Sequence, residues 1–268
     1  MQNKLFPCPR DSKDMTEKAK HPVSTSRKTI RILEALHEHG RAGVTELATA
    51  VGMNKSTVHN HLSTLQSEHM IVQDGNEYTL GLRMLEFGGK ARNDRQLYKV
   101  ARDEIKRLAT QTGEVANLVV EEYGESVYLD CKGGDNAIDL DIYPGVRRSL
   151  HVTASGKAIL AHLSTERVDE IVASQGLPAE TEQSITTKEA LLAELEAVRD
   201  QGFAIDEEEH IKGLRCIGAP IQTDTGEVLG AVSVSTPVTR MDDDKFYSEI
   251  PDTVRSATNV IELNVQHS

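Results

Sequence analysis

The stretch that decides the fold is residues 53–80, which read MNKSTVHNHLSTLQSEHMIVQDGNEYTL. Asn54 suits the N-cap of a helix that runs to about residue 69. The buried stripe predicted for that helix is Val58, Leu62 and Leu65. Residues 71–80 then form two short β runs around the turn at 74–76. A helix followed directly by a hairpin predicts the second half of a winged helix-turn-helix.

Two further helices are predicted upstream of this stretch. Residues 26–39 carry apolar side chains about one helical turn apart and are followed by Gly40, a residue typical of helix C-termini. The apolar positions are Ile30, Leu33 and Leu36. The stripe within residues 44–51 has helical spacing, with Thr45 as the expected cap and Gly52 as the expected end. Three short helices and a hairpin complete the motif at residues 23–81.

The exposed side of the third helix carries short hydrogen-bonding side chains and one cation. Such side chains can hydrogen-bond to base edges and phosphates, so the expected partner is double-stranded DNA. The expected DNA-binding residues are Lys55, Ser56, Thr57, His59, Asn60, Ser63 and, in the wing, Asn76. The alternative is a small helical packing module without a role in DNA binding.

Charge is distributed unevenly along the chain. The net charge is −12, but residues 1–100 hold 15 Lys and Arg against 11 Asp and Glu, and the remainder holds 15 against 31. A positive front and an acidic rear favour docking of an anionic duplex in one orientation. The acidity is equally typical of a solubility requirement or of a salt-rich cytosol.

Composition sets the outer limits of the interpretation. The 268 residues suffice for two domains, and with 4% aromatic residues and no Trp their cores must be aliphatic. Neither a membrane span nor a signal peptide is visible, and three scattered cysteines indicate a reducing cytoplasm. Residues 1–22 are polar and predicted to be a disordered leader.

Residues 82–113 are predicted to form one long amphipathic linker helix. Its apolar side would suit a contact between subunits of a homodimer or homotetramer. Arg92 and Arg95 on the polar side could contact the DNA backbone or form a solvated face.

Residues 114–268 have the texture of an α+β domain with a mostly antiparallel sheet. The expected strands are 115–122, 126–132, 138–142, 215–222 and 227–235. The expected helices are 154–162, 165–174, 187–200 and 242–265. Thr186 with Glu189 resembles a capping box, and residues 224–226 resemble a hairpin turn.

Three motifs, in order, resemble those of the IclR family of transcriptional regulators. They are MNKSTVH at 53–59, LHVTASGKAILA at 150–161, and GLRCIGAPI at 213–221 followed by GEVLGAVSVS at 226–235. The resemblance extends over residues 25–265. It implies an N-terminal winged helix-turn-helix, a C-terminal GAF-like effector domain, and a dimer or tetramer that regulates transcription without being an enzyme and without a cofactor.

A pocket for a small organic acid is the site that this resemblance implies. The matching positions are Ala154, Ser155, Asp206, Cys216, Ser233 and Ser235. Residues 154–156, ending at Gly156, lie where a strand turns into a helix, and backbone N–H groups at such a point can bind an anion. Ser233 and Ser235 alternate along a strand, so their hydroxyls share a face.

Other kinds of site remain open from the residues alone. Gly156-Lys157 lacks the earlier glycine and the Ser or Thr of a phosphate loop. Asp206, His210 and Cys216 could hold a divalent metal, Cys216 could sense redox state, and Cys216 with a histidine could imitate a catalytic pair.

Overall fold

The computed structural model of the protein describes residues 21–267, so the predicted leader at residues 1–22 falls almost wholly outside the described residues. The chain divides into two compact units between Ala91 and Arg92. Within the described range, every helix is too short or too polar to cross a bilayer.

The front unit is a three-helix bundle with a small antiparallel sheet. Its elements are α1 (Ser24–His39), β1 (Ala42–Gly43), α2 (Val44–Val51), α3 (Lys55–Ser67), β2 (Ile71–Asp74) and β3 (Glu77–Leu80). The strand order is β1-β3-β2, and Asp74 pairs with Glu77 across a two-residue turn. Gly75 in that turn has φ +61°, which glycine adopts without strain. The helix-turn-helix and its wing are therefore present as predicted.

The first helix buries only part of the predicted apolar stripe, because Leu36 is buried and Leu33 packs against the core but Ile30 does not. Ile32, Ala35 and Leu36 are buried, whereas Ile30 is 54% exposed. The run IRIL offers two overlapping apolar stripes, and packing against α2 and β3 selects the second. The expected cap of α2 was also wrong, because α2 begins at Val44 and Glu46 accepts a hydrogen bond from the Gly43 N–H at 2.8 Å.

The single linker helix predicted for residues 82–113 is two helices, α4 (Arg83–Asn93) and α5 (Gln96–Thr112). No residue of α4 is buried. In contrast, α5 buries the apolar side that the sequence predicted, with Ala101, Ile105 and Leu108 inside the core of the rear unit. The second half of the predicted linker therefore belongs to the rear unit's core.

The rear unit is built on a six-stranded, fully antiparallel sheet of order β6-β5-β4-β9-β8-β7. The strands are β4 (Val115–Glu122), β5 (Glu125–Gly133), β6 (Arg147–Ser149), β7 (Ala204–Glu207), β8 (Leu214–Gln222) and β9 (Val228–Pro237). The helices are α6 (Ala154–Leu160), α7 (Thr165–Gln175), α8 (Lys188–Gln201) and α9 (Ile250–Gln266).

Helices cover both faces of this sheet. An aliphatic core that includes residues of α5 and α9 lies on one face, and a second core that includes residues of α6, α7 and α8 lies on the other. The α+β class and the mostly antiparallel sheet are confirmed. The cores are mainly aliphatic, as the scarcity of aromatic residues required.

Several local expectations in the rear unit were wrong. Residues 138–142 form no strand, and the short β6 is the strand that the sequence pattern missed. Thr187, not Thr186, caps α8 by accepting from the Ala190 N–H at 3.3 Å. The last predicted helix, 242–265, contains a π-helical turn at Lys245–Glu249, and α9 begins only after it.

Candidate functional site

The third helix of the front unit is fixed at its N-terminus by Asn54. The Asn54 Oδ1 accepts from the Thr57 N–H at 2.8 Å and from the Ser56 hydroxyl at 2.9 Å. This cap, together with the buried Val58 stripe, sets which side of α3 faces outward.

The side chains predicted to contact DNA lie on that outward side. Lys55, Ser56, His59, Asn60 and Ser63 are exposed, Thr57 is half-buried, and Asn76 is exposed in the wing turn. Within the described chain, the side chains of Lys55, His59, Asn60 and Ser63 make no hydrogen bond. Their donors and acceptors are therefore free for a ligand, whereas Ser56 is already used by the cap.

In the rear unit, three adjacent strands, β7, β8 and β9, bring Asp206, Cys216 and the two predicted serines together. Asp206 on β7 lies opposite Cys216 on β8, which lies opposite Ser235 on β9. The Cys216 Sγ is 3.2 Å from the Ser235 Oγ, and all three side chains are buried. We call Asp206, Cys216 and Ser235 the polar row.

Asn117 on β4 extends this arrangement, and the sequence analysis missed it. Its Nδ2 donates to the hydroxyls of Ser233 and Ser235, each at 3.4 Å, while its Oδ1 has no partner among the described residues. An asparagine inside a run of apolar residues, at the centre of a sheet, was the signal available in the sequence.

The start of α6 approaches the same place. Ala154 packs with Cys216, and the apolar side chains of Ile138, Leu140 and Ile211 pack against this pair. A Cβ on Gly218 would lie 2.7 Å from the Ser155 N, so β8 passes directly along the first turn of α6. The Gly156 N–H, expected to be free for an anion, is instead taken by the Thr153 hydroxyl at 3.1 Å.

Asp206 is the carboxylic acid of the polar row, and its surroundings raise its pKa. Its Oδ1 accepts from the N–H groups of Glu209 and His210, at 2.8 and 3.3 Å. Burial, and then the charge of Glu209, raise the pKa of Asp206 from 3.8 to about 7. Asp206 therefore carries a proton in a large fraction of molecules near neutral pH and can donate as well as accept.

Beside Asp206 lies a buried ion pair. The ammonium of Lys157, 1% exposed, contacts Glu209 and lies 2.9 Å from the Glu194 Oε1. Lys157 is the lysine of the TASGKA motif, so the charged group of this motif forms a buried ion pair inside the rear unit.

His210 and Arg148 form the other edge of the cluster. The Arg148 Nε donates to the His210 Nε2 at 3.2 Å. Burial, followed by the charge of Arg148, lowers the pKa of His210 to about 4, so the ring is neutral at pH 7.

The alternative readings of this cluster find little support. Among residues 21–267, no group of three His, Cys, Asp or Glu side chains converges in a way that could hold a metal ion, and Asp206, His210 and Cys216 do not form such a group. Burial, and then Asp206, raise the pKa of Cys216 well above its usual range. A thiol held protonated and buried is a poor nucleophile and a poor redox sensor.

Comparison with known proteins matches both units to one family of regulators. The family model described as "Bacterial transcriptional regulator IclR C-terminal" matches residues 89–262, and the "IclR helix-turn-helix domain" matches residues 27–75. A probable HTH-type transcriptional regulator, ArcR of Halobacterium salinarum, is 36% identical over 248 residues, which cover 91% of this chain and 94% of that protein.

Solved structures share the fold. The IclR of Thermotoga maritima has a TM-score of 0.74 at 27% identity, covering 90% of this chain and 98% of that one. An IclR homolog from Microbacterium hydrocarbonoxydans, complexed with 4-hydroxybenzoate, has a TM-score of 0.77 at 21% identity, covering 91% and 100%.

Proposed function

The chain belongs to the IclR family of transcriptional regulators, and we propose that a small organic acid bound at the polar row controls how its winged helix engages DNA. Regulation of transcription through a DNA-binding helix-turn-helix is the family's activity. The ligand class, the residues that contact ligand and DNA, and the assembly are the proposed parts.

The observation that carries the effector proposal is a group of buried polar side chains that satisfy one another poorly. The contacts of Asn117 to the two serines are long, at 3.4 Å, and its Oδ1 is unpartnered within residues 21–267. Burying polar groups without good partners costs free energy, and a ligand carrying hydroxyl, oxo or carboxylate oxygens would supply the missing bonds. The 4-hydroxybenzoate held by the Microbacterium homolog is a small organic acid of this kind.

For DNA recognition, we propose that α3 lies in the major groove. Lys55 would bind a phosphate, and His59, Asn60 and Ser63 would contact base edges, with Asn76 of the wing on the backbone. Two α3 helices of a homodimer, or of a dimer within a homotetramer, would enter successive major grooves roughly 34 Å apart on a pseudo-palindrome.

Ligand binding at the polar row would favour one arrangement of the two α3 helices of a dimer over another. A coupling free energy of about 1–3 kcal/mol is enough for a useful change in operator affinity. The sign of the response depends on which arrangement the ligand favours.

The test is a thermal-shift screen of the full chain against small organic acids, followed by DNA binding with and without each hit. A ligand bound only to the folded protein stabilises it by about 2.7 kcal/mol at a concentration of 100 Kd. The variant Ser233→Ala with Ser235→Ala should lose the shift while still binding a duplex selected from random sequence.

The matched control is Thr236→Val, because Thr236 is buried beside Ser235 but points to the opposite face of β9. It should keep the ligand response. Two outcomes would contradict the proposal by showing that the serines are structural. One is loss of the ligand response in both the double serine variant and Thr236→Val, and the other is loss of DNA binding in the double serine variant but not in Thr236→Val.

A further inference from the structure

Arg148 is a cation without a carboxylate. Its three hydrogen bonds go to neutral acceptors: the His210 Nε2 at 3.2 Å, the Arg147 carbonyl at 2.8 Å and the Asp141 carbonyl at 3.3 Å. In the described range no carboxylate oxygen of Asp or Glu lies within 4.0 Å of its guanidinium. Since a guanidinium carries five N–H donors, two remain unused.

The neighbouring arginine shows the usual arrangement. Arg147 donates to the Glu122 Oε2 at 2.7 Å and to the Glu125 Oε2 at 3.1 Å. Successive side chains of a strand point to opposite faces, so β6 directs one paired arginine and one arginine without a counter-ion to the two sides of the sheet.

Arg148 faces the polar row. It pairs in register with Ser126, whose hydroxyl lies 3.5 Å from the Thr153 hydroxyl at the start of α6. Tyr128, two residues farther along β5, is buried on the same face of the sheet. Burial first and Cys216 second raise the pKa of Tyr128, and the charge of Arg148 opposes them.

His210 presents a second unused donor. Because its Nε2 accepts from Arg148, the proton of the neutral ring lies on Nδ1. That Nδ1 is buried and has no partner among the described residues, although His210 is only 7% exposed. The backbone N–H of His210 donates to the Asp206 Oδ1 at 3.3 Å, so His210 lies next to the polar row.

We propose that Arg148 and His210 form the carboxylate-binding end of the effector pocket. A ligand carboxylate would accept from the free guanidinium N–H groups and would neutralise the charge that no protein carboxylate neutralises, while the Nδ1–H on the far side of the His210 ring would donate to another oxygen of the same ligand. The polar row would then bind hydroxyl or oxo oxygens of the same molecule. This inference rests on the proposed effector function and specifies its ligand as a hydroxy- or oxo-acid recognised by charge.

The start of α6 is a weaker anion site than this pair. Its Gly156 N–H is occupied by Thr153, and α6 is a helix of only 7 residues. A full positive charge with free donors attracts a carboxylate more strongly than the partial charge of a short helix.

The experiment compares each acid with its uncharged amide by calorimetry on the full chain at pH 7.5. The probes are lactate with lactamide, gluconate with gluconamide, and 4-hydroxybenzoate with 4-hydroxybenzamide. We expect an acid to bind the unmodified protein about ten- to a hundredfold more tightly than its amide, the usual value of a charged hydrogen bond.

Arg148→Gln should remove that preference by weakening acid binding about ten- to a hundredfold while leaving amide binding unchanged. Arg147→Gln, the same change one residue away on the opposite face, should keep the preference. Unimpaired acid binding by Arg148→Gln would overturn this inference and leave the proposed effector function standing. Failure of every acid to bind the unmodified protein would overturn both.

A second measurement needs no ligand. The ring ¹⁵N chemical shifts of labelled protein should show that His210 is neutral at pH 7 with its proton on Nδ1. In Arg148→Gln the ring should no longer be held in this one tautomer. A ring protonated on Nε2 in the unmodified protein would contradict the role given to His210.

Discussion

Lys157 and Glu209 form an ion pair from which solvent is nearly excluded, since the Lys157 side chain is 1% exposed and that of Glu209 is 10% exposed. Glu194 completes the contact of the ammonium at 2.9 Å. The pair joins the first turn of α6 to the segment after β7, and so holds together two segments that flank the polar row.

Lys157→Met should therefore destabilise the protein strongly. Removing one partner leaves the Glu209 carboxylate buried and uncompensated, which typically costs about 3–5 kcal/mol. The control is Lys188→Met, since the Lys188–Asp169 pair is 42% and 46% exposed and should contribute at most about 1 kcal/mol. Urea unfolding measures both variants. Equal, small decreases in the free energy of unfolding would show that the buried pair of Lys157 does not stabilise this region.

Gly156→Ala should also be destabilising, for a steric reason. A Cβ at position 156 would lie 2.1 Å from the Leu150 carbonyl oxygen, a backbone atom that cannot rotate away. Overpacking of this kind costs about 1–3 kcal/mol or more. Gly88→Ala in α4 is the control, because nothing lies within 4 Å of its Cβ and alanine favours a helix by about 0.5–1 kcal/mol. Thermal unfolding should separate the two variants in opposite directions.

The elements that sequence reasoning predicted well are those whose signals are local. Asn54, Gly75 and Gly202 mark ends and turns by their own chemistry, and each occupies the predicted position. The linker was wrong because its helical spacing continues past residues 94–95 without a proline or glycine, whereas only tertiary packing distinguishes α5 from α4.

Of the candidate pocket, the motif residues could be named from the sequence, but Arg148 could not. It lies in a strand of only 3 residues beside an identical side chain. Arg148 differs from Arg147 in that Arg147 faces two carboxylates and Arg148 faces none. The sequence does not show this difference, because the fold decides which carboxylates lie near each arginine.

Protonation of Asp206 should make the free energy of unfolding depend on pH. Because its pKa is raised to about 7 in the folded protein from 3.8, the folded state holds this proton through a range in which the unfolded state has lost it. Its contribution is therefore complete below about pH 4 and is lost as the pH rises to about 7, with a slope of at most ~1.4 kcal/mol per pH unit. Glu209, whose pKa is also raised by burial, acts in the same direction.

His210 acts in the opposite direction, since its pKa is lowered to about 4 from 6.5, so stability from this group is lost as the pH falls through that interval. The comparison that isolates Asp206 is therefore with Asp206→Asn, which keeps the acceptor for the two N–H groups. The variant should gain stability relative to the unmodified protein at pH 8 and lose that advantage at pH 4. A difference that does not change with pH would mean that folding does not raise the pKa of Asp206.

DNA recognition by α3 predicts two separable effects. Lys55→Gln should weaken binding to all duplexes and reduce the salt dependence by about one counter-ion, because a lysine on a phosphate carries no sequence information. Asn60→Ala should instead cost about 1–3 kcal/mol on the preferred duplex only, because an asparagine that reads an adenine edge distinguishes sequences. Gln66→Ala is the control: Gln66 is an exposed amide near the other end of the same helix. Fluorescence anisotropy on a selected duplex and on a scrambled one measures all three, and an Asn60→Ala protein with unchanged preference would place the reading surface elsewhere on the front unit.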